Sequence, residues 1–460
     1  MTTSEKARPR AAQVGRFGSA DLLGTLGIAS VVAVLWMWTR YHGPQSLTSW
    51  GTALGSMAQL AGLVAADLMV LQVFLLARVP WIERAFGHDR LIRGHRWIGF
   101  TAFWMVLAHL ALATAHRFRP GVPGAGERLW DLYVQRHWML FATAGTALLV
   151  VVVLASLRPV RRRLRYETWH LLHLYAYLGI ALSFPHMVAH GADFHTPLAR
   201  VYWWALFGSA LAVAVVFRIG VPLWRSVYHR LRVTDVRIEA PGVVSVTMTG
   251  RHLHRMRIRS GQYFIWRFLD GPGWSRGNPY TLSAAPNPDT MRITVKAAGD
   301  GSSRAACLAP GIRVLIEGPY GSLTAARRKH DRILMMAAGI GVTPMRALLE
   351  DTPFEPGETT FIYRYSHHEH AVFADEIREI ADRRGVVLHF LPGRRRSGLS
   401  WLPAGSGHRD DADALRELVP DIAQRDVFAC GPSAWLVAVR RAVARAGVHR
   451  DHLHTEEFAW

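Results

Sequence analysis

Residues 94–115 read GHRWIGFTAFWMVLAHLALATA, and residues 168–189 read TWHLLHLYAYLGIALSFPHMVA. Each is an apolar run of about the 20 residues that a helix needs to cross a hydrocarbon core of roughly 30 Å. Each carries one histidine toward either end: His95 and His109 in the first, His173 and His186 in the second. An ionisable side chain inside a spanning helix is costly and marks a function by default. The 14 positions from His95 to His109 cover about 21 Å and return to within about 40° of one helix face. The 13 positions from His173 to His186 leave that pair about 140° out of line on an ideal helix. Pro185 removes a backbone hydrogen bond beside His186 and is expected to re-aim it. Imidazole is a standard axial ligand of heme iron. The pattern therefore predicts two hemes at two depths, one between His95 and His173, the other between His109 and His186. His116 and His190 are expected at the outer interface or in hydrogen bonds, and His170 competes with His173 for the inner position.

Around these two runs the chain holds four more apolar stretches. The six run near Ala20–Thr39, Leu54–Val79, Gly94–Ala115, Trp138–Leu157, Thr168–Ala189 and Val201–Val221. Half of the 460 residues are hydrophobic, and several 20-residue apolar runs argue for a membrane part. Lys+Arg outnumber Asp+Glu by 54 to 34, but much of the excess lies in arginine clusters flanking the runs. No recognition motif accompanies it, so nucleic-acid binding is not expected. Arginines crowd the N-terminal tail and the connections after the second and fourth stretches. The third-to-fourth connection, with Arg117, Arg119, Arg128 and Arg136, is a mild exception. The positive-inside bias predicts a multi-pass protein of the cell membrane with both termini cytoplasmic. The first apolar run lacks a convincing cleavage site and is read as a retained helix. The two cysteines, Cys307 and Cys430, form no C-x-x-C pair, which excludes cysteine-ligated iron–sulfur clusters.

The pattern changes after Arg232. Val233–Thr249, broken by Pro241-Gly242, and then Gly261–Phe268 and Met291–Ala297 read as strands of a small antiparallel β-barrel ending near Thr324. Short apolar strands at Arg332–Ala338, Thr359–Tyr363, Val386–Leu391 and Asp426–Ala429 alternate with helical segments, as in a doubly wound parallel sheet. The expected architecture is multi-domain. A tail (1–18) precedes a six-helix transmembrane heme bundle (19–228), an antiparallel β-barrel domain (229–327), which the resemblance below makes an FAD domain, and a doubly wound α/β nucleotide-binding domain (328–460).

Four motifs lie in the second half. Asn278-Pro279-Tyr280-Thr281-Leu282-Ser283 sits in the β-rich region. Gly299-Asp300-Gly301-Ser302-Ser303 opens a helical segment whose free N–H groups suit phosphate. Gly339-Ile340-Gly341-Val342-Thr343-Pro344 joins a strand to a helix, the layout that lets backbone approach a pyrophosphate. Cys430-Gly431-Pro432 follows a later strand. Here the sequence resembles the ferredoxin–NADP reductase superfamily, and Glu317–Gly321 matches that family's barrel-closing turn. The resemblance implies that Tyr280 packs on the flavin of FAD and that Thr281 hydrogen-bonds near its N5. Asn278 stands where Arg or His is usual. Gly301, Ser302 and Ser303 would meet the FAD pyrophosphate, Gly339, Gly341, Thr343 and Pro344 the nicotinamide dinucleotide, and Cys430, Gly431 and Pro432 its nicotinamide. The ending His454-Thr455-Glu456-Glu457-Phe458-Ala459-Trp460 is similar to relatives whose terminal aromatic covers the flavin, which nominates Phe458 and Trp460. Arg364 and Arg394-Arg395-Arg396 offer guanidinium forks for a 2′-phosphate, favouring NADPH over NADH.

The membrane half resembles the ferric reductase transmembrane domain, and the whole resembles bacterial ferric reductases and NADPH oxidases. The resemblance implies transfer of electrons from cytoplasmic NAD(P)H through FAD and two hemes to an outer acceptor. That acceptor is expected to be an Fe(III) complex, oxygen, or a periplasmic or extracellular redox partner. In these roles Thr281, Cys430 and Trp460 are the residues expected at the reacting rings. The rival reading is a membrane-anchored flavin domain without heme, acting as a redox sensor or in iron-complex binding and transport.

Overall fold

The computed structural model describes residues 18–41, 47–117, 124–191, 194, 196–271, 273–274, 276–396, 400–407 and 410–457. Contacts divide the chain into two compact units, 1–218 and 219–460.

In the first unit the apolar runs form long helices: α1 (Ser19–Tyr41), α2 (Trp50–Leu76), α3 (His88–Arg117), α4 (His137–Ser156), α5 (Tyr166–His190) and α6 (Pro197–Val215). Among the described residues, six helices are long and apolar enough to cross a membrane. Helix starts follow ordinary capping chemistry. Ser49 accepts from the Thr52 amide before α2, and Pro197 takes the first turn of α6, where its missing N–H costs nothing. α2 packs on α3, and α4 packs on α5. The second pairing depends on small residues, since a Cβ added at Gly145 would stand 2.6 Å from the Gly179 carbonyl oxygen. In a membrane, such close backbone approach is a main source of helix association. α5 runs on as helix through Pro185.

A π-helical turn, Val216–Gly220, separates α6 from α7 (Val221–His229). The second unit opens with α7, whose Ser226 hydroxyl accepts from the Ile316 amide at 3.0 Å. Six strands follow: β1 (Arg232–Ala240), β2 (Val243–Thr249), β3 (Tyr263–Phe268), β4 (Asn278–Thr281), β5 (Thr290–Lys296) and β6 (Val314–Tyr320). They pair as two antiparallel sheets, β1-β2-β5 and β4-β3-β6. Alternate residues such as Val246, Met248, Phe264, Trp266 and Ile293 fill the interior, as period-two patterning dictates. Two strands depart from the expectation. The flavin-motif segment is itself β4, with Pro279 tolerated because β4 is an edge strand. The segment read as a closing turn, Glu317–Gly321, falls largely within β6, its Gly-Pro pair masking the strand pattern.

The remainder is a five-stranded parallel sheet in the order β11-β10-β7-β8-β9. Its strands are β7 (Ile333–Ala338), β8 (Thr359–Tyr365), β9 (Val387–Pro392), β10 (Asp426–Gly431) and β11 (Leu453–Glu457). Helices α8 (Val342–Asp351) and α9 (Ala374–Arg384) cover one face, and α10 (Asp411–Leu418) and α11 (Ser433–Arg445) the other. β11 reads LHTEE, too polar to stand out as a strand. Barrel and sheet are tied by Arg292 of β5, which donates to Glu376 of α9 at 2.9 and 3.0 Å. Arg346 of α8 reaches the same carboxylate at 2.9 Å. Burial pushes the Glu376 carboxyl up, but the two guanidiniums outweigh it and hold the group below the usual range.

Candidate functional site

The four membrane histidines form two facing pairs. The rings of His95 and His173 have centroids 5.8 Å apart, and those of His109 and His186 are 6.3 Å apart. Between the pairs lies an apolar layer that includes Met69 of α2, Ala102 and Val106 of α3, Leu149 of α4 and Ile180 of α5. Protein carbonyls orient the rings. His109 Nδ1 lies 2.7 Å from the Ala58 oxygen, and His116 Nδ1 lies 2.7 Å from the Gly51 oxygen. A carbonyl only accepts, so Nδ1 carries the proton in both rings, which leaves the Nε2 of His109 with its lone pair. These contacts recur at seven-residue steps on both antiparallel helices, matched by Gly55 and Gly62. A Cβ at Gly62 would stand 2.7 Å from His109 Nδ1, and one at Gly55 would stand 3.1 Å from the His116 ring. On α5, His186 Nδ1 donates to the Ser183 carbonyl of its own helix at 2.5 Å. His173 stacks on Trp169 with centroids 5.2 Å apart, and Ser156 Oγ lies 3.4 Å from its Nδ1. The side chain of His190 lies outside the described residues.

A transition metal sits about 2 Å from an imidazole nitrogen, so two rings facing one ion have centroids about 6 Å apart. Both pairs fit that separation.

One buried membrane group escaped the sequence reading. Asp67 of α2 is fully buried, and its Oδ1 lies 2.7 Å from both Ser30 Oγ of α1 and Tyr202 OH of α6. Its signal was a lone carboxylate inside the second apolar stretch. It joins three helices, in a cluster where the Ser30 and Tyr202 hydroxyls also lie 2.8 Å from each other.

In the second unit, Thr281 ends β4 with its hydroxyl buried and without a hydrogen-bond partner. An orphaned buried hydroxyl asks for a ligand. Tyr280 lies beside it, its phenol pushed up to about 12 by burial, and its carbonyl accepts from Trp266 Nε1 at 2.9 Å. A cleft here is lined by Phe268, Asp270, Arg276, Asn278, Tyr280 and Arg304. Asn278 donates to the Arg276 carbonyl at 3.4 Å, and Arg304 pairs with Asp270 at 2.8 Å. Arg276, two residues before Asn278, and the Arg304–Asp270 ion pair thus line the same cleft. Leu282 instead fills the barrel core, and Ser283 Oγ accepts from Thr294 at 2.8 Å. In the helical turn Asp300–Ser303, which contains Gly301, the Ser302 hydroxyl accepts from the Ala298 and Gly299 amides, and Ser303 donates to the Gly299 carbonyl.

The turn Gly339–Gly341 leaves β7 against the end of β10. A Cβ at Gly341 would stand 2.2 Å from the Cys430 carbonyl oxygen, so only glycine fits. Thr343 and Pro344 are buried, and Thr343 Oγ1 donates to the Ile340 carbonyl at 3.0 Å. Cys430 is fully buried in an apolar cluster. Burial, reinforced by Glu456, pushes its thiol well above the ordinary range, against the Gly431 amide. It remains a neutral thiol. Arg364 on β8 is nearly buried. Burial and then Arg395 draw its pKa down. Phe458 and Trp460 lie outside the described residues.

Residues 61–184 match the family described as ferric reductase like transmembrane component. The ferredoxin reductase component of 3-ketosteroid-9-alpha-monooxygenase from Mycolicibacterium smegmatis is 31% identical over 212 residues, 44% of this chain and 56% of that one. The chain thus resembles a ferric reductase-like transmembrane component over 61–184 and a ferredoxin reductase component over 212 residues. The stachydrine N-demethylase reductase subunit of Rhizobium meliloti is likewise similar to it, 31% identical over 48% of this chain and 64% of the relative. The chain therefore spans somewhat over half the length of these curated relatives. Among solved structures, the flavohem-like FAD/NAD binding domain of nitric oxide dioxygenase from Vibrio cholerae aligns with 50% of this chain and 98% of its own. That alignment has 23% identity and a TM-score of 0.41. Within the ferric reductase-like module the matched residues include His95, His109 and His173 and end at residue 184, just before His186.

Proposed function

We propose that this protein is a membrane flavocytochrome that carries electrons from cytoplasmic NAD(P)H to an acceptor on the outer face, an Fe(III) complex or oxygen. The observation that carries the reading is the pair of facing imidazole couples on α3 and α5 at two depths. When bound, FAD accepts hydride from the nicotinamide and releases electrons singly, and two b-type hemes relay them across the bilayer.

In this reading His95 with His173 hold the inner heme and His109 with His186 the outer one. The Ala58 carbonyl fixes the His109 tautomer, an outer-shell contact of the kind that tunes a metal ligand. The Thr281 hydroxyl supplies a hydrogen bond near flavin N5, and Tyr280 packs on the ring system. Arg276 and Arg304 face the FAD phosphates and replace the charge that Asn278 lacks. Gly301, Ser302 and Ser303 adjoin the pyrophosphate, and Gly339 and Gly341 let the dinucleotide approach the backbone. Cys430, Gly431 and Pro432 border the nicotinamide, where a neutral thiol adds no charge to the hydride path. Arg364 and Arg395 oppose the 2′-phosphate of NADPH. Both termini face the cytoplasm, as the arginines predict. That the curated relatives are reductase components of oxygenases and demethylases supports an electron-delivering role.

Purified full-length protein should contain two hemes per chain by the pyridine hemochrome assay, with a bis-imidazole spectrum. A protein with bound flavin and no Soret band, expressed with ample heme, would favour the anchored flavin domain instead. Gly62→Val should overpack His109 at a cost of about 1–3 kcal/mol. Heme content should fall toward one per chain while flavin content stays unchanged; full retention of both hemes would refute the contact's role.

A further inference from the structure

At the opposite end of the parallel sheet from Gly339–Gly341, three segments enter the strands side by side. His330 lies on the loop before β7, Asp426 is the first residue of β10, and His452 immediately precedes β11. His330 Nδ1 and His452 Nδ1 are 2.8 Å apart. Asp426 Oδ2 is 3.5 Å from His330 Nδ1, and its Oδ1 is 3.8 Å from His452 Nδ1. Donors about 2.1 Å from one metal ion lie about 3 Å apart at right angles and about 3.4 Å apart in a tetrahedron. The two imidazole nitrogens, now at hydrogen-bond distance, and the two Asp426 oxygens, one toward each ring, lie within a few tenths of an ångström of those separations, so small side-chain shifts would bring all three groups onto one ion.

The surroundings fit that use. The Asp426 side chain is fully buried, and its Oδ2 accepts the Lys329 and His330 amides at 2.7 and 2.6 Å. His454 Nε2 lies 3.1 Å from Oδ1, and its ring packs on Phe428 with centroids 4.7 Å apart. The carboxylate is thereby held from behind, as carboxylates that serve metals are. The His330 side chain is 36% exposed, so the cluster has a path to solvent. Imidazole with carboxylate selects late first-row divalent ions over magnesium or calcium, which prefer all-oxygen shells.

We infer that His330, Asp426 and His452 form a binding site for a divalent late first-row metal ion, zinc in the first instance, that clips the entrances of β7, β10 and β11 together. The site is separate from the histidine pairs of the membrane module and from the glycine turns of the reductase-type module. It therefore stands or falls independently of the proposed electron path.

The test uses full-length protein purified with its cofactors, stripped by a chelator and titrated with zinc against a chromophoric chelator. The wild type should bind one more zinc per chain than the H330Q/H452Q variant, and zinc should raise the thermal midpoint of the wild type alone. His454→Gln leaves all three donors in place and should weaken the site by about 10- to 100-fold. The double variant should melt like the chelated wild type, showing that it folds. Equal zinc stoichiometry and affinity in the two proteins would overturn the inference. So would the absence of wild-type binding at micromolar zinc, or loss of binding only in a variant that no longer melts cooperatively.

Discussion

His109→Ala is expected to leave one heme per chain and to lower reduction of the external acceptor by more than about 100-fold. Loss of an outer-shell partner of a metal ligand costs about 10- to 100-fold, and removal of the ligand itself exceeds that. His186 faces His109 across 6.3 Å, and a single imidazole leaves one axial position empty. The His95–His173 pair lies below the apolar layer of Ala102, Val106 and Ile180 and is untouched. NADPH should still bleach the flavin at the wild-type rate, since Thr281, Gly341 and Cys430 belong to the other unit. Heme content by pyridine hemochrome and flavin bleaching by stopped flow check the two halves of this expectation. A variant that keeps both hemes, or that folds normally yet loses flavin reduction, would remove His109 from the role given to it.

Gly341→Val should show the converse pattern. The first atom of any side chain there would stand 2.2 Å from the Cys430 carbonyl oxygen. Backbone cannot yield as a flexible side chain does, so the turn must shift away from β10. Overpacking of this kind costs about 1–3 kcal/mol, which read as transition-state misplacement is a loss of about 5- to 150-fold in flavin reduction by NADPH. Heme content should remain at two per chain, and dithionite should still reduce both. Unchanged flavin reduction would show that this turn does not set the nicotinamide position.

The spans were legible because bilayer thickness imposes a length that no side-chain detail disguises. The α3 pair was legible for a related reason: a 14-residue step nearly closes on one helix face. The 13-residue step on α5 was the hard case, since arithmetic on an ideal helix turned His186 away from His109. α5 stays helical through Pro185, and the His186 ring folds back to its own Ser183 carbonyl. Ring position depends on side-chain torsions as well as on helix phase. The carbonyl anchors were hidden, although Gly55 and Gly62 repeat the seven-residue step of His109 and His116 and could have revealed the register. Arg304 was invisible as a neighbour of Asn278 because the cleft gathers it from a separate segment, whereas Arg276 stands only two residues before Asn278 and was open to reading. Asp426 with His330 and His452 was invisible because residues 26 to 122 positions apart meet there only where parallel strands begin side by side.

The central claim is that one chain connects a nicotinamide donor to membrane hemes, and anaerobic titration of the purified protein with NADPH tests it most directly. The account predicts that flavin absorbance bleaches and that the heme α and Soret bands then shift to their reduced positions, with both hemes reduced at excess donor. Flavin that bleaches fully while the hemes stay oxidised, yet remain reducible by dithionite, would contradict it.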